Sequence, residues 1–140
     1  YMDELRRLHQ MSPNIQPFVQ KAAAAIQREL SEYNDSETGF FTQGLDVMRW
    51  IEYPDETPDA AYMLSSPLSH PLIYLCQIAT YISVLEDGLD PDWLLAHTHS
   101  ATGFSTGIVA AVIVAMGLPL PELREVALKG QAMFFWQGVR

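Results

Sequence analysis

The chain has 140 residues, 49% of them hydrophobic and 18% charged, with a formal net charge of −9. That length suits one domain with a sizeable core. Eight scattered basic residues against seventeen acids argue against nucleic acid as a partner, because phosphate binding needs clustered Lys and Arg.

Tyr1 to Gln10 follows a helical pattern from its first residues, with Met2, Leu5 and Leu8 on one side. A chain that opens this way is expected to be part of a single domain, truncated at both ends. Ser12-Pro13 predicts a helix start, a cap followed by a first-turn proline. Ile15, Phe18, Val19, Ala22, Ala23, Ile26 and Leu30 then form a stripe that carries the helix to about Tyr33. Pro17 weakens the first turn, so the regular part is expected to begin only there. NDSETG (34–39) is a polar break. Thr42 is a candidate cap for a third helix with Leu45, Met48 and Ile51 inward. YPDETPDA (53–60) predicts an exposed loop.

Pro67 and Pro71 bracket the start of a helix from Leu72 to about Leu85, apolar almost all round and therefore expected to be buried. It carries Cys76, the single cysteine, so no intrachain disulfide can form; this fits a reducing, cytoplasmic setting. It also carries Gln77, a polar residue that needs a partner there. A structural hydrogen bond is the expected role, and a place facing an active site is the alternative. Gly88 closes the helix. Asp90-Pro91 opens a short helical turn, and HTHSATG (97–103) predicts a short strand. A buried helix from Ser105 to Met116 follows. Its apolar run, Ile108 to Met116, is too short to span a bilayer, so no membrane partner is expected. The last helix runs from Glu122 to about Gln137 and brings Phe134, Phe135 and Trp136. Those aromatics are expected in the core, with an acyl pocket as the alternative.

Gly103-Phe104-Ser105-Thr106-Gly107 fits the pattern G-x-S-x-G. A serine hydroxyl becomes a useful nucleophile only when it is exposed, aimed and next to a base. A sharp strand-to-helix turn does the aiming. Side chains two before and two after the serine are expected to clash, so glycine would be needed at both places. The predicted catalytic residues are Ser105 as nucleophile and Thr106 as backbone oxyanion donor, helped by the helix dipole. The plain alternative is that Ser105 merely caps the helix; that accounts for the serine and for neither glycine.

The base is harder to place. His9 is expected on the surface and His70 at a turn. His97 and His99 precede the serine on the predicted strand, and a sharp turn would swing the hydroxyl away from them. His97-x-His99 has a metal-like spacing, but no nearby third ligand is visible and no metal is expected.

The stretches YMDELRRLH (1–9), FFTQGLDVMRWIEYPDETPDAAYMLSSPLSHPLI (40–73), SATGFSTGIVAAVIVA (100–115) and FFWQGVR (134–140) resemble the N-terminal acyltransferase domain of fungal type I fatty acid synthase β subunits. The starter-unit transacylase domain of non-reducing polyketide synthases is similar. The resemblance implies an α/β fold: a mostly helical part of an α/β-hydrolase-like acyltransferase core, with a strand–elbow–helix unit. It implies a serine that takes a starter acyl group from coenzyme A and passes it to the phosphopantetheine arm of an acyl carrier protein. The coenzyme A thioester is then substrate, no cofactor is held tightly, and the other synthase domains are partners. The serine carries over to Ser105 and the residue after it to Thr106.

The synthase motif is typically Gly-His-Ser-Gln-Gly, whereas Phe104 and Thr106 bring this one nearer the polyketide starter domains. The family's Gly-Gln-Gly strand would lie before Tyr1 and its catalytic histidine after Arg140, so these residues are expected to hold half of an active site. Malonyl-loading relatives carry an arginine about one helix after the nucleophile; Leu128 to Met133 has Lys129 and no Arg, which favours acetyl or another short monocarboxylic group. A non-catalytic structural fragment and a serine ester hydrolase are the alternative readings.

Overall fold

The computed structural model describes all 140 residues, Tyr1–Arg140. Eight α-helices form: α1 (Met2–Met11), α2 (Gln16–Glu32), α3 (Val47–Glu52), α4 (Ala60–Met63), α5 (Ser66–Glu86), α6 (Pro91–His97), α7 (Gly107–Ala115) and α8 (Leu120–Gly138). A 3-10 turn, Pro54–Glu56, sits in the exposed acidic loop. There is no strand, so the expected α/β class is corrected to an all-helical architecture.

The predicted strand over residues 97–103 fails for a physical reason. His97 closes α6, and Thr98 is extended (φ −116°, ψ 124°). A strand needs a neighbour to share ladder hydrogen bonds, and the segment has none here.

The core is built around α5. Leu68, Leu72, Leu75, Ile78, Ala79 and Ile82 have no exposed surface. The helix is long and apolar enough to cross a membrane, but here it is the core helix, with 56% of its apolar window buried. It begins at Ser66 rather than at Leu72, so Pro71 lies inside it. Pro71 has no N–H to donate to the Pro67 carbonyl, a defect that normally breaks a helix. Burial of Pro67, Leu68 and Pro71 in the core overrides that preference.

Helix α8 lies along α5. Tyr74 stacks on Phe134 with ring centroids 4.6 Å apart, and its hydroxyl donates to Ala127 O at 3.0 Å. Gly130 makes the approach possible, because a Cβ there would overlap the Tyr74 hydroxyl. Gln131, 1% exposed, donates from Nε2 to Pro71 O at 2.9 Å. On the other side of α8, Phe135 stacks on Phe41 at 5.7 Å, with Tyr33 edge-on to both rings. Trp136 Nε1 donates to Glu29 Oε2 at 2.6 Å, tying α8 to α2. The 134–136 aromatics therefore belong to the core.

Smaller expectations also shift. Ser12 is the C-cap of α1, not the start of α2, which begins at Gln16 with Pro17 in its first turn. Asp46, not Thr42, caps α3, accepting from Arg49 N at 3.0 Å. A carboxylate is the stronger acceptor at a helix N-terminus. Helix α7 is not buried: only Ala110 and Ile113 are inside, and Ile108, Val112 and Met116 are about half exposed.

Candidate functional site

Helix α6 starts on Asp90, whose side chain accepts from Asp92 N at 3.0 Å. It ends on His97, which stacks on Trp93 at 4.3 Å, with Nδ1 bonded to Trp93 O at 2.8 Å. The chain then runs irregularly to Phe104, which is 92% exposed. There it turns. Gly107 N donates to Phe104 O at 2.9 Å and Ile108 N to Ser105 O at 3.1 Å, and α7 begins.

Ser105 has φ = +53° and is the only non-glycine residue of the chain in the left-handed region. Such a conformation costs a serine about 1–3 kcal/mol and persists only where its surroundings fix it. The turn is closed by crowding on one side. A Cβ on Gly103 would overlap the Gly107 carbonyl and lie 2.5 Å from Ile108 N. The other glycine is different: a Cβ on Gly107 would meet only Gln77 Nε2, at an ordinary 3.5 Å. The expectation that both glycines are sterically required is thus corrected to Gly103 alone.

Ser105 is exposed and makes no capping bond to α7, whose N-cap is Thr106. Neither Ser105 N–H nor Thr106 N–H donates to a backbone carbonyl. The turn therefore offers a hydroxyl on its tip and free amides at the positive end of a helix.

Behind the turn, an open cleft of about 660 Å³ lies between α5 and α7. Cys76, Gln77 and Thr80 line one wall, and Gly103, Gly107 and Ala110 line the facing wall. Burial pushes the Cys76 thiol above its ordinary pKa, so it stays protonated at neutral pH. Gln77 Oε1 is shut off from solvent and has no hydrogen-bond partner. The structural hydrogen bond expected of Gln77 is absent, and the residue instead stands against the serine turn.

The histidines do not gather there. His99 lies beside a small cavity with Val114 and Ala115, at the far end of α7 from Ser105, roughly 10 Å along the helix by its rise per residue. His9 is half-buried rather than on the surface, with Nε2 buried and unpartnered; His70 lies inside α5 rather than at a turn, with Nδ1 buried and unpartnered. No group of three His, Cys, Asp or Glu side chains is placed to hold a metal.

The left-handed serine sits on a Gly-x-Ser-x-Gly turn that opens a helix, without the preceding strand that the nucleophile-elbow pattern includes. The chain belongs to the starter-unit transacylase family: residues 1–140 match the family described as starter unit:ACP transacylase in aflatoxin biosynthesis. It is similar to the fatty acid synthase β subunit TOXC of Cochliobolus carbonum, at 34% identity over 141 residues. It is similar also to the fatty acid synthase subunit β of Saccharomyces cerevisiae, at 35% over 141 residues. Both matches take in 100% of this chain and 7% of the relative. The fatty acid synthase β subunit aflB of Emericella nidulans is 35% identical over 101 residues, 71% of this chain and 5% of the relative.

Proposed function

We propose that residues 1–140 form part of a single acyltransferase domain. The domain moves a starter acyl group from a coenzyme A thioester to the phosphopantetheine thiol of an acyl carrier protein, with Ser105 as acyl acceptor. The observation that carries this reading is the left-handed Ser105 on the turn closed by Gly103, in a chain of the transacylase family.

Ser105 Oγ attacks the thioester carbonyl and gives its proton to a general base. Since His97 is engaged with Trp93, His99 lies at the other end of α7 and neither His9 nor His70 lines the cleft behind the turn, the base is assigned to another part of the parent protein. The tetrahedral oxyanion accepts from Thr106 N–H, backed by the positive end of α7. The carbon–sulfur bond breaks, the thiolate takes the proton from the base and coenzyme A leaves. The carrier-protein thiol then attacks the acyl-Ser105 ester, the base receives its proton, and the departing Ser105 oxygen recovers it.

The acyl group is monocarboxylic, acetyl or another short chain. Lys129, the one cation between Leu128 and Met133, lies in a groove between α2 and α8 with Lys21 and Arg28 rather than in the cleft behind the turn.

The test is the intact mass of the full-length parent after exposure to a panel of acyl-CoAs. Acetyl-CoA should add one acetyl group, mapped to Ser105, malonyl-CoA should add nothing, and Ser105→Ala should stay unlabelled. Equal labelling of Ser105→Ala would remove the serine from the mechanism. Release of free acid with no transfer to the carrier thiol would make the protein an ester hydrolase. The 140-residue chain alone is expected to show no turnover.

A further inference from the structure

We propose that the groove between α2 and α8 docks an acidic amphipathic helix of the parent protein, one that lies outside residues 1–140. The inference goes beyond the acyl-transfer reading and does not depend on it. Of the eight basic residues, Arg6, Arg7, Arg49 and Arg124 are ion-paired within the chain, which leaves four. One of the four, Arg140, is the last residue. The other three, Lys21, Arg28 and Lys129, are dispersed in sequence and line one groove of about 610 Å³. All three are exposed, and none is ion-paired although the chain carries seventeen acids.

The groove has the periodicity of a seat for a helix. Lys21, Ala24, Ala25 and Arg28 stand at i, i+3, i+4 and i+7 on α2, so they share one face. Glu125, Leu128, Lys129 and Ala132 repeat that spacing on α8. The small alanines let a third helix approach closely, and Leu128 adds apolar surface to the floor. A helix with an apolar stripe fits such a floor, and carboxylates flanking the stripe meet the cations. Seven residues of helical rise, about 10 Å, separate Lys21 from Arg28, and the same rise separates carboxylates at i and i+7 of a partner helix. Two glutamates also line the groove, and they leave the cations free. Glu29 Oε2 accepts from Trp136 Nε1 at 2.6 Å, and Glu125 takes part in no ion pair. Three cations against two glutamates make the groove positive in a chain whose net charge is −9. That contrast selects an acidic partner, by attraction at the groove and repulsion elsewhere. The partner is placed in the parent protein because these residues make up 7% of the relatives they match, so most of the chain able to cover the groove lies outside them.

Zero-length crosslinking of the full-length parent tests the pairing directly. The purified protein is treated with a carbodiimide, which condenses a lysine amine with a touching carboxylate, and the links at Lys21 and Lys129 are mapped by mass spectrometry. Both lysines should link to Asp or Glu residues outside 1–140 that share one face of a helix. Raising NaCl to about 1 M, where the screening length is about 3 Å, should cut the yield severalfold. Arg28→Glu leaves both lysines in place as reporters and sets a like charge against the partner, so linkage at both should fall roughly fivefold or more. Arg28→Gln, which only removes the charge, should fall between Arg28→Glu and wild type. Arg28 is exposed, so both variants should elute from gel filtration as wild type does. Links confined to Glu29 or Glu125, links to residues 1–140 of a second copy, links to an added acyl carrier protein alone, or no link at either lysine would each overturn the proposal. So would linkage that is unchanged in both Arg28 variants.

Discussion

A serine at φ = +53° is a small local defect that the chain keeps for a reason. Around it, the two motif glycines look equivalent in sequence, yet only Gly103 faces backbone that cannot move. Gly103→Ala should therefore disrupt the turn: acyl loading of Ser105 in the parent is expected to fall at least about a hundredfold, on the scale of a misplaced reacting group. Gly107→Ala adds a methyl group at normal contact distance and should retain most activity. Similar losses from both substitutions would contradict the one-sided crowding. The G-x-S-x-G pattern announces the turn, but a symmetric motif holds no information about which glycine meets the carbonyl; that depends on the direction in which α7 leaves. Cys76 offers a second check on the cleft. With its thiol pushed up by burial, the thiolate fraction at pH 7 is below that of a free cysteine. Alkylation by iodoacetamide should be slower than for a cysteine peptide at pH 7 and should gain on it as pH rises. A rate equal to the peptide's at neutral pH would mean that the cleft does not shield the thiol.

Helices were legible wherever one face repeats at 3.6 residues. Met2, Leu5 and Leu8 on α1, and Phe18, Val19, Ala22, Ala23 and Ile26 on α2, are buried as their spacing requires. The misreadings fall where local preference competes with packing or with a missing neighbour. Pro71 argues for a helix boundary locally, and the core around α5 wins. An all-apolar α7 argues for burial, but composition cannot say how many faces have a partner, and α7 has one side uncovered. Candidate caps were ambiguous for a simpler reason: Thr42 and Asp46 both precede the α3 stripe, and only the local turn decides which carboxylate or hydroxyl reaches Arg49 N. Caps also give this fold a pH dependence. Asp59 accepts from Tyr62 N at 3.0 Å, and that bond, the largest cause, holds its carboxyl below the ordinary value. A depressed folded-state value means the cap is fully present above the unfolded carboxylate pKa and is lost as pH falls through the lowered one. Exchange of the Tyr62 amide, measured at equal intrinsic rate, should accelerate at the acid end of that window in wild type. In Asp59→Ala it should be fast throughout; a protected Tyr62 amide in that variant would show that the side chain is not its acceptor.

At the scale of the whole molecule, charge and apolar surface pull against each other. Four of the eight basic residues are tied up in ion pairs with acids, Arg6, Arg7, Arg49 and Arg124, and the net charge of −9 keeps copies apart at neutral pH. Against this stand Ile108, Val112 and Met116, all exposed and spaced by four, so that they form one line along α7, with the exposed Phe104 on the turn that precedes the helix. The irregular segment 98–104 beside them has backbone groups with few partners of their own. Contiguous apolar surface of this kind marks a face that another surface covers. In the 140-residue chain by itself, that face should drive self-association as repulsion weakens. Sedimentation at rising concentration is expected to show a growing average mass, steeper as pH is lowered toward the isoelectric point of about 4.6 and the charge is titrated away. The double variant Ile108→Lys, Val112→Glu leaves net charge unchanged and interrupts the line in its middle. It should remain monomeric over the same range, while the packing of α5 on α8 and the midpoint of unfolding stay close to wild type, because neither residue is in the core. Wild-type chain that stays monomeric throughout, or a double variant that associates as readily, would show that the α7 line is not the adhesive face.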